Sequence, residues 1–166
     1  WLTVPVLSPF KKKICDVKID NKKNWQEKHI KSIEENYKKS KNFAFFTKFI
    51  KPIYFKNYDY IADLNIEIIS TILENFFEKR IKIIRQKDFS TNELGSNLIL
   101  EICKKFKCNQ YISGPGGKNY LDLNDFKKSN IEVIFNKNII PKKYYQINYK
   151  KDFIGDISII DFILNF

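Results

Sequence analysis

The sequence predicts an α/β fold: a three-layer, Rossmann-like domain with a mainly parallel sheet. Three observations carry that expectation. From residue 82 onward short β-branched runs alternate with helical periodicity, in the order strand, helix, strand, helix, strand. Such alternation implies right-handed crossovers between parallel strands. One strand is joined to its helix by a glycine-rich turn, Q-Y-I-S-G-P-G-G-K-N-Y-L-D at 110–122. A hydrophobic fraction of 43% with 16% aromatics in 166 residues suits one domain, residues 1–166, with a real core.

Taken in order, residues 2–7 and 13–19 read as strands, with Ile14, Val17 and Ile19 β-branched and Pro9 in the turn between them. Asp20 or Asn24 is placed to cap the next helix. In it Trp25, His29, Ile33 and Tyr37 recur four apart along one slowly drifting face. A second helical stretch carries Phe43, Phe46, Phe49 and Ile50, and Pro52 is expected to end or kink it. Residues 60–77 place Ile61, Leu64, Ile68, Ile72 and Phe76 at helical spacing. Residues 82–86 read as a short strand. A capping box, Ser90-Thr91-Asn92-Glu93, or a cap at Ser96 precedes a helix with Leu98, Ile99, Ile102, Cys103 and Phe106 as its buried stripe. The end of a buried strand at 110–113, the glycine turn, a helix over 121–128 and a strand at 131–135 follow. Asp156 or Ser158 begins a last helix through Ile160, Ile163 and Leu164.

Composition excludes several classes. No apolar run has the length of a membrane span, and no signal peptide opens the chain. Cys15, Cys103 and Cys108 are an odd number and supply neither a disulfide framework nor a zinc pattern. Cys103 reads as a small buried apolar residue, and a reducing cytoplasm fits best. The formal charge of +11 invites nucleic acid as a partner. Yet only Arg80 and Arg85 are arginine, and the lysines are spread along a chain also rich in Asn, Ile, Phe and Tyr, residues that AT-rich coding favours. Arginine is the residue suited to phosphate and base-edge forks, so no nucleic-acid partner is expected. The chain contains no methionine and opens on Trp1 in mid-strand, so the sequence is expected to be a piece whose start lies upstream.

The glycine turn is the leading candidate for a ligand site. Gly114, Gly116 and Gly117 offer bare backbone donors at the carboxyl end of a strand, where α/β sheets bind ligands. Lys118 adds positive charge, and Ser113, Asn119 and Tyr120 add hydrogen bonds. The expected ligand portion is an anion, such as the phosphates of a nucleotide or nucleotide-sugar. Strict fingerprints fail: Ile112 and Asn119 stand where a P-loop needs glycine and a hydroxyl residue, and Asn119 stands where the dinucleotide pattern needs a third glycine. A purely conformational Gly-Pro turn is the competing reading. Asp122 either accepts from a sugar hydroxyl or amine or caps the following helix. His29, the only histidine, is a candidate general base facing the same cleft as the turn, or a residue packed among Trp25 and Ile33. Asp161 and Asn165 form an i, i+4 polar pair that lines the site or faces solvent. No Ser-His-acid array and no metal cluster stands out.

Several stretches, in order over nearly the whole chain, resemble the WbqC-like family of bacterial surface-polysaccharide gene clusters. They are W-L-T-V-P-V (1–6), D-V-K-I-D-N (16–21), W-Q-E-K-H (25–29), D-L-N (63–65), and Gly95-Ser96 with L-I-L-E-I-C ending at Cys103. The most specific is Y-I-S-G-P-G-G-K-N-Y-L-D (111–122), followed by Tyr145-Gln146 and S-I-I-D-F-I-L-N (158–165). Members usually begin with a segment like M-x-I-A-I-x-Q-P-Y-F-x-P-x-x-G-Y that this sequence does not contain. They often carry Pro near Gly155, where this chain departs. The resemblance implies a part in O-antigen and related glycan synthesis, as a transferase placing glycine or another amino acid, or an acyl group, on an amino sugar or nucleotide-linked amino sugar. Amide formation on a sugar amine needs an activated carboxyl, for which an adenylate would serve, so ATP or a nucleotide-sugar is the expected small-molecule partner. A non-catalytic module that binds nucleotide or nucleotide-sugar is the alternative. The resemblance brings no settled catalytic residues with it.

Overall fold

Aromatic and branched residues at helical spacing fill most of the chain, and few of its short extended runs find a partner. The computed structural model describes residues 1–88, 90–136, 143–149, 152–155 and 157–166. Among these, 48% are helical and 8% in strands, which form two small two-stranded sheets. This corrects the expected fold class: there is no continuous parallel sheet and no three-layer Rossmann-like arrangement among the described residues. Contacts divide the chain into two compact units, the first from 1–84 and 142–166, the second from 85–141.

In the first unit β1 (Val6–Leu7) pairs antiparallel with β2 (Lys18–Ile19), in the register Val6↔Ile19 and Leu7↔Lys18. The expected longer strands are cut short for local reasons. Pro5 has no N–H to give a ladder. The N–H of Asp16 turns back to the Lys13 carbonyl at 2.9 Å, closing a 3-10 turn over Ile14–Asp16. The other edge of β2 meets residues 59–61 instead: Ile19 N–H donates to Asp59 O at 2.8 Å and Ile61 N–H to Val17 O at 3.0 Å.

The helices follow the sequence more closely. α1 (Trp25–Tyr37) buries Trp25, His29, Ile30 and Ile33. Asn24 is its N-cap residue, although its side chain reaches Glu27 and not the backbone. Pro52 does not stop the next helical stretch. α2 (Phe43–Phe45) runs through a π-turn (Phe46–Ile50) into α3 (Lys51–Tyr54). The wider turn, closed by Lys51 N–H on Phe46 O, lies directly before the proline and absorbs the misfit of a residue with no donor. α4 (Ile61–Asn75) completes this helical layer. The core gathers around the fully buried Phe46, Ile50, Leu64, Ile163 and Leu164. Asn42 fixes the last helix there, donating from its backbone to Leu164 O at 3.0 Å and from its side chain to Ile163 O at 3.1 Å.

In the second unit α5 (Gly95–Lys105) precedes β3 (Gln110–Ser113). The glycine turn leads to α6 (Leu123–Lys128) and β4 (Glu132–Phe135). β3 and β4 are parallel, in register from Gln110↔Glu132 to Ser113↔Phe135, as the sequence predicts for that pair. Leu100, Cys103, Leu121, Phe126 and Ile131 form their own core. β3 is covered on one face only: Ser113 is buried but Ile112 is 69% exposed.

The strand expected at 82–86 does not form. Ile83 and Ile84 are adjacent, not alternating, and both are exposed. The Asp88 carboxylate accepts from Arg85 N–H at 3.3 Å, and Asp88 N–H donates to Arg85 O at 3.0 Å, closing a 3-10 turn at Gln86–Asp88. Such local capture competes with a ladder. α7 (Ile159–Asn165) starts at Ser158, whose hydroxyl accepts from Ile160 N–H at 3.3 Å; the alternative start, Asp156, lies outside the described residues.

Candidate functional site

The glycine turn is a 3-10 helix, Pro115–Asn119, set between β3 and α6. It spends several of its donors on itself. Gly117 N–H bonds Gly114 O at 3.0 Å, and the N–H groups of Tyr120 and Leu121 both bond Gly117 O, at 3.2 and 3.0 Å. None of its three glycines has a positive φ; Gly95 is where the chain uses one. The glycines differ in what surrounds them. A Cβ on Gly117 would lie 2.0 Å from Ser113 Oγ and 3.0 Å from Leu121 Cδ1, so Gly117 is needed for close packing. Gly114 and Gly116 face open space, where another molecule could approach the bare backbone.

The other turn residues are placed as follows. Ser113 is buried, its hydroxyl donating to Gly114 O at 3.0 Å. Lys118 is exposed, with Nζ 5.4 Å above the Phe135 ring. Asn119 and Tyr120 are exposed. Asp122 caps α6, accepting from Asn124 N–H at 3.0 Å and Asp125 N–H at 3.4 Å. Ser96, expected to cap α5, instead accepts from Asp122 N–H at 2.8 Å and so ties the start of α5 to the end of the turn. The expected box at 90–93 does not cap α5 either. The helix begins at Gly95, and the Glu93 N–H donates to Thr91 Oγ1 at 3.1 Å in a turn of its own. A shallow concavity lined by Asn109, Lys127, Asn130 and Glu132 lies at the amino ends of β3 and β4, away from the turn.

His29 belongs to the first unit and the turn to the second. Its ring meets Trp25 edge-on at 5.3 Å and Tyr54 at 5.8 Å between centroids. Nε2 is 3.2 Å from Thr3 O. A carbonyl only accepts, so Nε2 carries the hydrogen and the neutral ring keeps its lone pair on Nδ1. Burial pushes the His29 pKa below its ordinary value, outweighing the opposite effect of the Thr3 bond. The ring is therefore neutral at pH 7. The neighbouring Trp25 Nε1 is buried without a hydrogen-bond partner among the described residues.

Asp161 is 2% exposed. Its Oδ1 accepts from Tyr37 OH at 2.8 Å and Asn165 Nδ2 at 3.2 Å; its Oδ2 accepts from Tyr144 OH at 2.7 Å and Gln146 Nε2 at 2.9 Å. Asn165 Oδ1 in turn accepts from Ile147 N–H at 3.0 Å, and Gln146 Oε1 from Ile154 N–H at 2.9 Å. The polar pair expected on one helix face is thus the centre of a buried network joining α1 and α7 with Tyr144, Gln146, Ile147 and Ile154. Sequence reasoning missed Tyr37, Tyr144 and Gln146 as its members. The available signal was that Gln146 and Asp161 lie in two of the stretches that carry the family resemblance.

Burial first, then the bond to Asp161, raises the Tyr37 pKa strongly; the same causes push Tyr144 up to about 12 from 10.0. A folded pKa above the unfolded one favours the protonated, folded form. That contribution is complete below pH 10 and is lost as pH rises through about 12. Denaturant unfolding across this range should show stability falling, with Tyr144→Phe flattening the fall; an unchanged slope in that variant would count against the assignment.

Among the described residues no three His, Cys, Asp or Glu side chains gather as a metal site, and no helix is long and apolar enough to cross a membrane. A helical protein that carries a strand, a glycine turn and a capped helix beside one parallel strand pair is the class these features define. The chain belongs to the WbqC-like protein family, which it matches over residues 1–166. It is similar to Uncharacterized protein Rv1507c of Mycobacterium tuberculosis, with 24% identity over 168 residues covering 99% of this chain and 71% of that one. No solved structure matches.

Proposed function

We propose that this protein is a transferase of glycan biosynthesis that places an aminoacyl group, such as glycine, or another acyl group on an amino sugar or nucleotide-linked amino sugar. Membership of the WbqC-like family links it to glycan-biosynthesis proteins. The observation that carries the chemical part is His29. A neutral imidazole with its hydrogen held on Nε2 by Thr3 O keeps Nδ1 unprotonated, the form in which a histidine takes a proton from an attacking amine. The open backbone at Gly114 and Gly116, with the exposed Lys118, would hold the phosphates of ATP or a nucleotide-sugar, Ser113 and Gly117 shaping the turn beneath them. Such a nucleotide would supply the activated carboxyl or carry the sugar. Within the second unit Tyr120 would add a hydrogen bond at the rim and Asp122 would position the turn; within the first unit Asp161 would position α7. The rival reading, a module that binds nucleotide-sugar without chemistry, is favoured by the burial of His29 and by the full set of partners on Asp161.

Titration calorimetry with nucleotides and sugar nucleotides, followed by a glycine-transfer assay on amino sugars, tests this. Lys118→Ala should weaken binding by about tenfold, as loss of a charged hydrogen bond does, without altering stability. His29→Gln should lower turnover by roughly a hundredfold or more while affinity changes little. Unchanged affinity in Lys118→Ala removes the lysine from the site. Unchanged turnover in His29→Gln removes the histidine from the chemistry, and binding without any transfer in the parent protein leaves the binding-module reading.

A further inference from the structure

The carboxyl end of α5 places two cysteines against one another. Cys108 N–H donates to Cys103 O at 2.8 Å and Lys107 N–H to Lys104 O at 3.1 Å, while Lys107 takes φ +53°. Two such bonds around a left-handed residue make a Schellman motif. It brings together the third-last helical residue and the residue two past the cap, usually through an apolar contact. Here those residues are Cys103 and Cys108. Both are free. Cys103 is 3% exposed within the core of the second unit, whereas Cys108 is on the surface. The Cys108 N–H···O bond keeps the two backbones within the reach that a disulfide requires.

We propose that Cys103 and Cys108 are a reversible redox pair, forming an intramolecular disulfide when a small-molecule disulfide such as oxidised glutathione is the oxidant. Cys108 is the thiol a reagent in solution can reach. As thiolate it attacks one glutathione sulfur; the glutathione S–S bond breaks and one glutathione thiolate leaves and takes up a proton. Cys103 then loses its proton and attacks the Cys108 sulfur of the mixed disulfide, releasing the second glutathione thiol. Two protein thiols are oxidised and one glutathione disulfide is reduced to two thiols. Burial and the Cys108 neighbour raise the Cys103 pKa, so Cys103 resolves the mixed disulfide and does not start the exchange. The product staples the last turn of α5 to the approach of β3. Reduction by excess thiol returns the pair.

The test is incubation of the native protein in glutathione redox buffers, acid quench, alkylation and tryptic mass mapping. Lys104, Lys105 and Lys107 lie between the two cysteines, so a bond between them yields linked peptides. The wild type should lose the mass of two hydrogens and give a Cys103–Cys108 link that excess thiol reverses. Cys103→Ser should stop at a glutathione adduct on Cys108. Cys108→Ser should gain no adduct at Cys103. The proposal is overturned if the wild type accumulates the Cys108 adduct as fully as Cys103→Ser does. Linkage of Cys15 to Cys108 as often as to Cys103 overturns it too.

Discussion

Asp161→Ala is expected to destabilise the protein by about 3–5 kcal/mol, the range for stripping one partner from a buried, charge-assisted network. The reason is what remains. Tyr37 OH, Tyr144 OH, Gln146 Nε2 and Asn165 Nδ2 all point at a carboxylate that is 2% exposed. With the acceptor gone, these donors are left around a small cavity. Asp161→Asn keeps the shape but turns an amide donor toward hydroxyl and amide donors, and should cost about 2–3 kcal/mol. Tyr145→Ala is the control: Tyr145 adjoins Gln146 but is 73% exposed, and should shift stability by about 0.5 kcal/mol or less. The midpoint of urea unfolding reads all three, provided its slope is unchanged. A loss below about 1 kcal/mol for Asp161→Ala would mean the donors find other acceptors, and the network would not be what fixes Tyr144 and Gln146.

That network shows where sequence reasoning reached its limit. Spacing identified α1, α4 and α7 because burial of one helix face repeats every three to four residues, and Trp25, Leu64 and Ile163 obey that repeat. Parallel pairing of β3 with β4 was also legible, since helix α6 returns the chain between them. Strand pairing elsewhere depends on partners distant in the chain. Residues 82–86 have β-branched composition but lose their extended run to the turn held by Asp88, a competition between one side chain and a ladder. The site residues divide in the same way. Asp122 as a helix cap was readable from its position. The bond from its N–H to Ser96, 26 residues away, was not. Asp161 was singled out as half of a local pair, whereas its environment comes from Tyr37, 124 residues earlier.

The three turn glycines look equivalent in sequence, and their surroundings predict that they are not. Gly117→Val should destabilise the second unit by about 3 kcal/mol or more, beyond ordinary overpacking, and Gly117→Ala by about 1–3 kcal/mol. The alanine Cβ would meet Ser113 Oγ at 2.0 Å, Leu121 Cδ1 at 3.0 Å and Ser113 Cβ at 3.1 Å. Rotating the hydroxyl away relieves the first clash but breaks its bond to Gly114 O. The other two remain, because both lie on neighbours packed beneath the turn. Ser113→Ala combined with Gly117→Ala should therefore cost less than the sum of the single changes, a coupling that a double-mutant cycle measures. A Cβ on Gly116 would meet nothing within 4 Å, and φ there is not positive, so Gly116→Val should fold normally. If a ligand's phosphates approach the backbone there, that same variant loses affinity while keeping its unfolding midpoint. Strict additivity in the Ser113–Gly117 cycle would show that the turn yields elsewhere. Undiminished ligand affinity in Gly116→Val would leave the turn a packing device, with Gly117 as the residue that makes it possible.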